Sequence, residues 1–335
     1  MRTHRNRRQQ PVGFTLVELL MVIGIIGFLI TVSGFVIGNM IGASKEAATL
    51  ATIQKVHGVV MERIRGLDIA LETQAEMRKR SKNFSVTLDS SAGFVVGGPI
   101  AFRKLQTRAL IPTRLEDLPT SGRTVFLTGT GHANVAAYRG ASDWSAAVES
   151  SELLFFSLTQ GTAFGEASSA ADLFRDSELK DTNGNGKMEI VDGWGNPLRF
   201  YGTPTRLLRP DGWNATTDEL NPLNQSLITA AFPSLAGREL AVDPDDPGNG
   251  FLNTYVNAYF SAYGSTDVDA AVSSYEGNFH THGTYHIPLI VSAGPDGVLG
   301  IEEPNTSLGR LAHPIGGVAN EDIYDNLTNY QGSTD

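Results

Sequence analysis

The chain reads as an α+β protein. One long N-terminal helix, membrane-spanning at its start and amphipathic beyond, leads into a globular domain with a small antiparallel β-sheet. Three observations predict this. From Phe14 to Ser44 there is a single charged residue, Glu18. Behind that run, Leu50, Ile53, Val56, Val60, Ile64, Leu67 and Leu71 recur at spacings of three and four, which is one face of a helix. Further on, apolar runs shorten, Gly and Pro interrupt them, and strand-like stretches fall at 198–201 and 286–292. The predicted organisation is a leader at 1–13, a helix over 14–82 with 14–38 in the membrane, and a globular domain over 83–335.

The apolar run exceeds the roughly 20 residues a helix needs to cross a bilayer. Ahead of it stand Arg2, Arg5, Arg7 and Arg8 with no acid, so the basic end is expected on the cytoplasmic side and the bulk of the chain outside. An ordinary signal peptide has a core of about 7–15 residues without charge. Here the run is longer and holds a carboxylate. Charged groups at a membrane-helix centre cost about 2.5–3.5 kcal/mol, so an acid there needs a partner. A cut after Gly13 would create an amino terminus on Phe14, four residues from Glu18. A neighbouring copy could offer that amine to Glu18 and cancel both charges. The spacing Gly34, Gly38, Gly42 fits close helix contact, although glycine is also common in membrane helices generally.

The residues Gly13-Phe14-Thr15-Leu16-Val17-Glu18-Leu19-Leu20 closely resemble the N-terminus of type IV pilins and pseudopilins. The resemblance implies that prepilin peptidase cuts after Gly13, that Phe14 becomes the methylated end, and that Glu18 guides subunit assembly. It further implies a single-pass protein of the bacterial inner membrane with a periplasmic domain. Such a protein is extracted into a filament of copies of itself, with other pilin-like subunits and an inner-membrane assembly platform as partners. The expectation is a structural subunit of a type II secretion pseudopilus. The alternative is a minor pilin or adhesin-like binding module. The tip subunit of comparable size in that system lacks the acid that Glu18 represents, which argues against a tip role.

Net charge is −10, and residues 83–335 hold thirty acids against fourteen bases. Nucleic acid is excluded as a main partner, because phosphate contacts need clustered Lys and Arg. No cysteine is present. A disulfide-permissive compartment without disulfides leaves core size or a metal to hold the domain together.

Asp181-Thr-Asn183-Gly-Asn185-Gly186-Lys187-Met-Glu189-Ile-Val-Asp192 fits a calcium loop. Asp181, Asn183 and Asn185 take ligand positions 1, 3 and 5. Gly186 makes the sharp turn at 6, Lys187 offers its carbonyl at 7, and Glu189 and Asp192 stand at 9 and 12. Asp at position 12 grips less readily than Glu, and Gly193-Trp194-Gly195-Asn196-Pro197 cannot begin an exit helix. The competing reading is an Asn/Gly-rich solvated turn. The segment 192–201, the turn Ser292-Ala-Gly294-Pro-Asp296-Gly297 and Glu321-Asp322-Ile323 resemble the sheet entry, final strand and C-terminal loop of the major pseudopilin of type II secretion. That resemblance implies a calcium-tied last loop with Asp296 and Asp322 as side-chain ligands.

Elsewhere, 145–160 reads as an amphipathic helix burying Leu153, Leu154, Phe155 and Leu158, and 170–179 as a short helix. Residues 83–145 read as loops and a few strands, and 202–250 as largely loop. His280, His282 and His286 share one parity, but Gly283 interrupts them, so packing is favoured over zinc. Asp243, Asp245 and Asp246 sit among prolines and read as a stiff solvated loop. No nucleophile elbow, metalloprotease or phosphate-loop motif is present, so the chain is not expected to be an enzyme.

Overall fold

The computed structural model describes residues 16–117, 148–159, 162–163, 166–167, 170–202, 245–246, 248, 250–279, 288–305, 315 and 325–329. The chain divides into one unit ending at Lys45 and a second starting at Glu46. Helix α1 covers Leu16–Thr73, with Glu18 in its first turn. In the first unit, every residue from Leu16 to Ser33 is exposed, Leu16 by 73 % and Phe28 by 68 %. This window is long and apolar enough to cross a membrane.

In the second unit, the predicted stripe is the buried face. Ile53, Val56, Val60 and Leu67 are fully buried, and Leu50, Ile64 and Leu71 pack against the same core. Gly58 and Gly66 lie inside continuous helix. The break comes at Gln74, whose backbone is extended (φ −84°, ψ 114°) before α2 at Ala75–Lys82. Just before it, the Thr73 hydroxyl donates to the Ile69 carbonyl at 2.7 Å. Such back-bonding to the preceding turn bends helices, a signal weaker in sequence than glycine.

Residues 83–117, expected to be loops and a few strands, are more regular. A hairpin of β1 (Ser85–Asp89) and β2 (Phe94–Gly97) is followed by helix α3 (Pro99–Leu110), which has proline in its first turn. The remainder of the stretch predicted over 83–145 lies outside the described residues. Helix α4 (Glu149–Thr159) lies within the predicted 145–160 and buries Leu153, Leu154 and Leu158 completely, whereas Phe155, also expected inside, is only partly buried. The segment predicted as a helix over 170–179 is instead two 3-10 turns, Ala170–Leu173 and Asp176–Glu178. The Glu178 carboxylate is drawn to α1, accepting from Lys55 Nζ at 2.6 and 2.7 Å and from Thr52 at 3.0 Å.

Between these elements lie β3 (Thr162–Ala163) paired with β4 (Glu166–Ala167), and β5 (Leu179–Lys180) paired with β6 (Glu189–Ile190). The largest sheet has three antiparallel strands: β7 (Arg199–Tyr201), β8 (Leu289–Ser292) and β9 (Leu327–Thr328), in that order. The strand expected to be the last is therefore the middle one, and it is buried along its whole length.

Two further helices, α5 (Gly250–Tyr263) and α6 (Val268–Asn278), were not predicted. Much of their sequence is Tyr, Asn, Ser and Val, all modest helix formers, and tertiary contacts decide the matter. They form a second core with β2: Phe94 meets Tyr255 edge-on at 5.0 Å, and Tyr255 meets Tyr275 at 5.2 Å. Asp246 caps α5, accepting from the N–H groups of Gly250, Phe251 and Leu252. Asp245 pairs with Arg103 and Lys104 of α3. Both acids are thus structural, not parts of a solvated loop. Asp243, the three histidines and residues 203–244 lie outside the described residues.

Candidate functional site

Two places collect the candidate residues. The first is the start of α1. Gly13 and Phe14 lie outside the described residues. Glu18 is exposed in the first helical turn, where a carboxylate is favoured by the helix dipole, and it is flanked by exposed Val17, Leu19 and Leu20.

The second is the 181–192 segment, built as the loop of the β5–β6 hairpin. The ladder pairs Lys180 with Glu189 and Leu179 with Ile190, so the loop joins two strands instead of the predicted helix and strand. Asp181 organises it: Oδ1 accepts from the N–H of Gly184 (2.7 Å) and Asn185 (3.1 Å), and Oδ2 from Gly186 (2.8 Å). Asn183 Oδ1 accepts from Asn185 N at 3.0 Å, and Asn185 Oδ1 from Lys187 N at 2.8 Å. Gly186 takes the left-handed conformation that the turn demands (φ +83°). Glu189 is fully buried and its Oε2 accepts from Thr182 N at 2.7 Å. Its Oε1 is buried with no hydrogen-bond partner.

Asp192, proposed at position 12, is not part of this loop. The hairpin closes at Glu189, and Asp192 lies beyond the closing pair. Its Oδ1 accepts from Trp194 N (2.8 Å) and Asn196 N (2.9 Å), and its Oδ2 from the Ser292 hydroxyl (2.7 Å). It ties the entry to β7 onto the end of β8.

A residue that sequence reading missed, on another element, contacts the loop. Glu152 on α4 is fully buried, and its Oε1 accepts from the side-chain amides of Asn183 (3.1 Å) and Asn185 (2.8 Å). Lys187 Nζ lies 3.9 Å from its Oε2. Burial raises the carboxyl pKa of both Glu152 and Glu189 above the ordinary value, against the hydrogen bonds they accept. Next to Glu152, Ser151 exchanges hydrogen bonds with Ile190 N and O at 3.1 Å, fixing α4 against β6. The only hint in the sequence was an acid in a helix whose neighbours are buried; nothing linked it to a loop 29 residues on.

In the C-terminal patch, Asp296 is exposed and its Oδ1 accepts from Val298 N at 2.8 Å. Gly294 (φ +68°) approaches Asp325 so closely that a Cβ would meet its carbonyl oxygen at 2.5 Å. Asp322 and Glu321 lie outside the described residues. Among the described residues, no three imidazole or carboxylate groups converge to hold a metal by themselves. A cation in the hairpin loop would rely on amide and carbonyl oxygens as well, and the donor set Asp181, Asn183, Asn185 and the Lys187 carbonyl is of the hard-oxygen type that calcium takes.

Comparison with known families, with curated proteins and with solved structures finds no match to this chain. The fold itself is an N-terminal apolar helix followed by a domain with small antiparallel sheets, compatible with a pilin-like arrangement.

Proposed function

We propose that the chain is a structural subunit of a pilin-like filament, of the kind that forms a type II secretion pseudopilus. Prepilin peptidase would release the leader at Gly13, and the helix beginning at Phe14 would hold the protein in the inner membrane until assembly. The carrying observation is Glu18, an acid in the first turn of a helix whose side chains from Leu16 to Ser33 are all exposed. An apolar surface of that length calls for lipid or other helices, and an acid within it calls for a cation. The Phe14 amine of a neighbouring copy supplies one, which makes charge cancellation the device that sets axial register between copies. The protein is proposed to act by assembly, without catalysis, and with calcium stabilising its outer domain.

The test is Glu18→Lys in cells that assemble the filament. Processing at Gly13 and folding of the outer domain are expected to persist while filaments disappear. Normal filaments from this variant would refute the register mechanism. A second reading, a minor pilin or adhesin-like module, draws on the separate aromatic core of α5, α6 and β2. Subunit counting in purified filaments separates the two: a major subunit dominates the mass, and a minor one is a trace.

A further inference from the structure

Resting on the calcium part of that proposal, we infer that Glu152 of α4, not Asp192, is the acid that completes the hairpin-loop cation site. The loop supplies Asp181, Asn183, Asn185 and the Lys187 carbonyl from one side. Glu152 meets the two asparagines from another element, its Oε1 2.8 Å from Asn185 Nδ2 and 3.1 Å from Asn183 Nδ2. Calcium–oxygen distances of 2.3–2.6 Å place neighbouring ligands roughly 3 Å apart, which is the spacing at which Glu152 Oε1 meets the two amide nitrogens. Turning either amide about its terminal bond offers oxygen in place of nitrogen, and gives up the hydrogen bond that Asn183 Oδ1 accepts from Asn185 N or that Asn185 Oδ1 accepts from Lys187 N.

Charge argues the same way. Asp181, Glu152 and Glu189 bring three carboxylates to this loop, two of them on fully buried residues, with the Lys187 ammonium 3.9 Å from Glu152 and Lys180 paired with Glu189 across the ladder. A divalent cation offsets a cluster of carboxylates of this kind. Independently of that count, Glu189 Oε1 is buried without a hydrogen-bond partner, on a side chain close enough to Asp181 and Glu152 for their charges to act on one another. A buried carboxylate oxygen in that state points to a missing cationic partner. The Lys187 ammonium lies 3.9 Å from Glu152 and must swing out when the ion enters.

The experiment is calcium titration by calorimetry on the full chain in detergent, for the wild type and for Asp181→Asn, Glu152→Gln, Asp192→Asn and Lys187→Gln. Circular dichroism in chelator checks that each variant folds. Glu152→Gln and Asp181→Asn are each expected to lose at least about tenfold in affinity, because calcium sites are tuned by ligand charge. Asp192→Asn should bind as the wild type does, and Lys187→Gln should bind more tightly. A wild type that takes no calcium overturns the calcium reading and this inference together, leaving filament assembly to be judged at Glu18. Unchanged affinity in Glu152→Gln, or a loss confined to Asp192→Asn, overturns the Glu152 assignment alone. Should Glu152→Gln fail to fold, Lys187→Gln decides: affinity equal to or weaker than wild type overturns the proposal.

Discussion

Asp192 offers the sharpest test of whether a residue that reads as a ligand is instead a structural tie. Its side chain is buried and accepts three hydrogen bonds, from Trp194 N, Asn196 N and the Ser292 hydroxyl, at 2.7–2.9 Å. Hydrogen bonds to a charged acceptor contribute about 1.5–3 kcal/mol each. Losses within one network do not add, and Ser292 can re-aim its hydroxyl, so Asp192→Ala should cost about 3–4 kcal/mol in total. At this domain size that lowers the melting temperature by roughly 6–16 °C. Asp192→Asn keeps an oxygen for both N–H groups and should cost about 1 kcal/mol. The assay is thermal unfolding followed by near-ultraviolet circular dichroism, in calcium and in excess chelator. The drop from Asp192→Ala should be the same in both. A drop seen only in calcium would make Asp192 a ligand after all and refute the reasoning.

Three further outcomes are expected. Arg63, buried on α1, donates to the Ser157 and Leu158 carbonyls at 2.6 and 2.9 Å and so caps the C-terminus of α4; Arg63→Ala should cost about 2–4 kcal/mol in denaturant unfolding, and a loss under about 0.5 kcal/mol would rule the cap out. Burial raises the Glu178 carboxyl, but the Arg175 N–H, Lys55 and Thr52 outweigh it and hold it below the ordinary 4.5. A carboxyl lowered in the folded state contributes stability above its unfolded value and loses it as pH falls through the folded one, so Glu178→Gln should flatten the acid side of the stability curve below about pH 4.5. The Tyr263 hydroxyl donates to Asp89 at 2.8 Å, which pushes its pKa up to about 12; in Asp89→Asn, phenolate absorbance should show it titrating near the usual value of 10.

Where the signal was local, it was legible. The apolar run with its lone acid, the seven-residue stripe from Leu50 to Leu71 and the strands around Phe200 and Ile290 follow from length and periodicity, which neighbouring residues carry between them. Helix α4 was equally plain. The helices α5 and α6 were not, because an aromatic core shared with β2 outweighs their weak propensities. Asp246 was visible only as part of a proline-rich loop until its carboxylate was seen to hold three helical N–H groups.

The hairpin loop divides along the same line. Asp181, Asn183, Asn185 and Gly186 are a pattern whose bonds to backbone N–H groups each close within six residues, so spacing made the turn legible. Position 12 is set by where the two strands pair, and that pairing depends on how Leu179 and Ile190 pack, not on the loop's own residues. Closing the hairpin at Glu189 sent Asp192 to Ser292, and the packing of α4 against β6 through Ser151 brought in Glu152. The sequence determined which oxygens the loop could offer. Only the tertiary structure decided which acid faces them, because that choice rests on contacts between residues far apart in the chain.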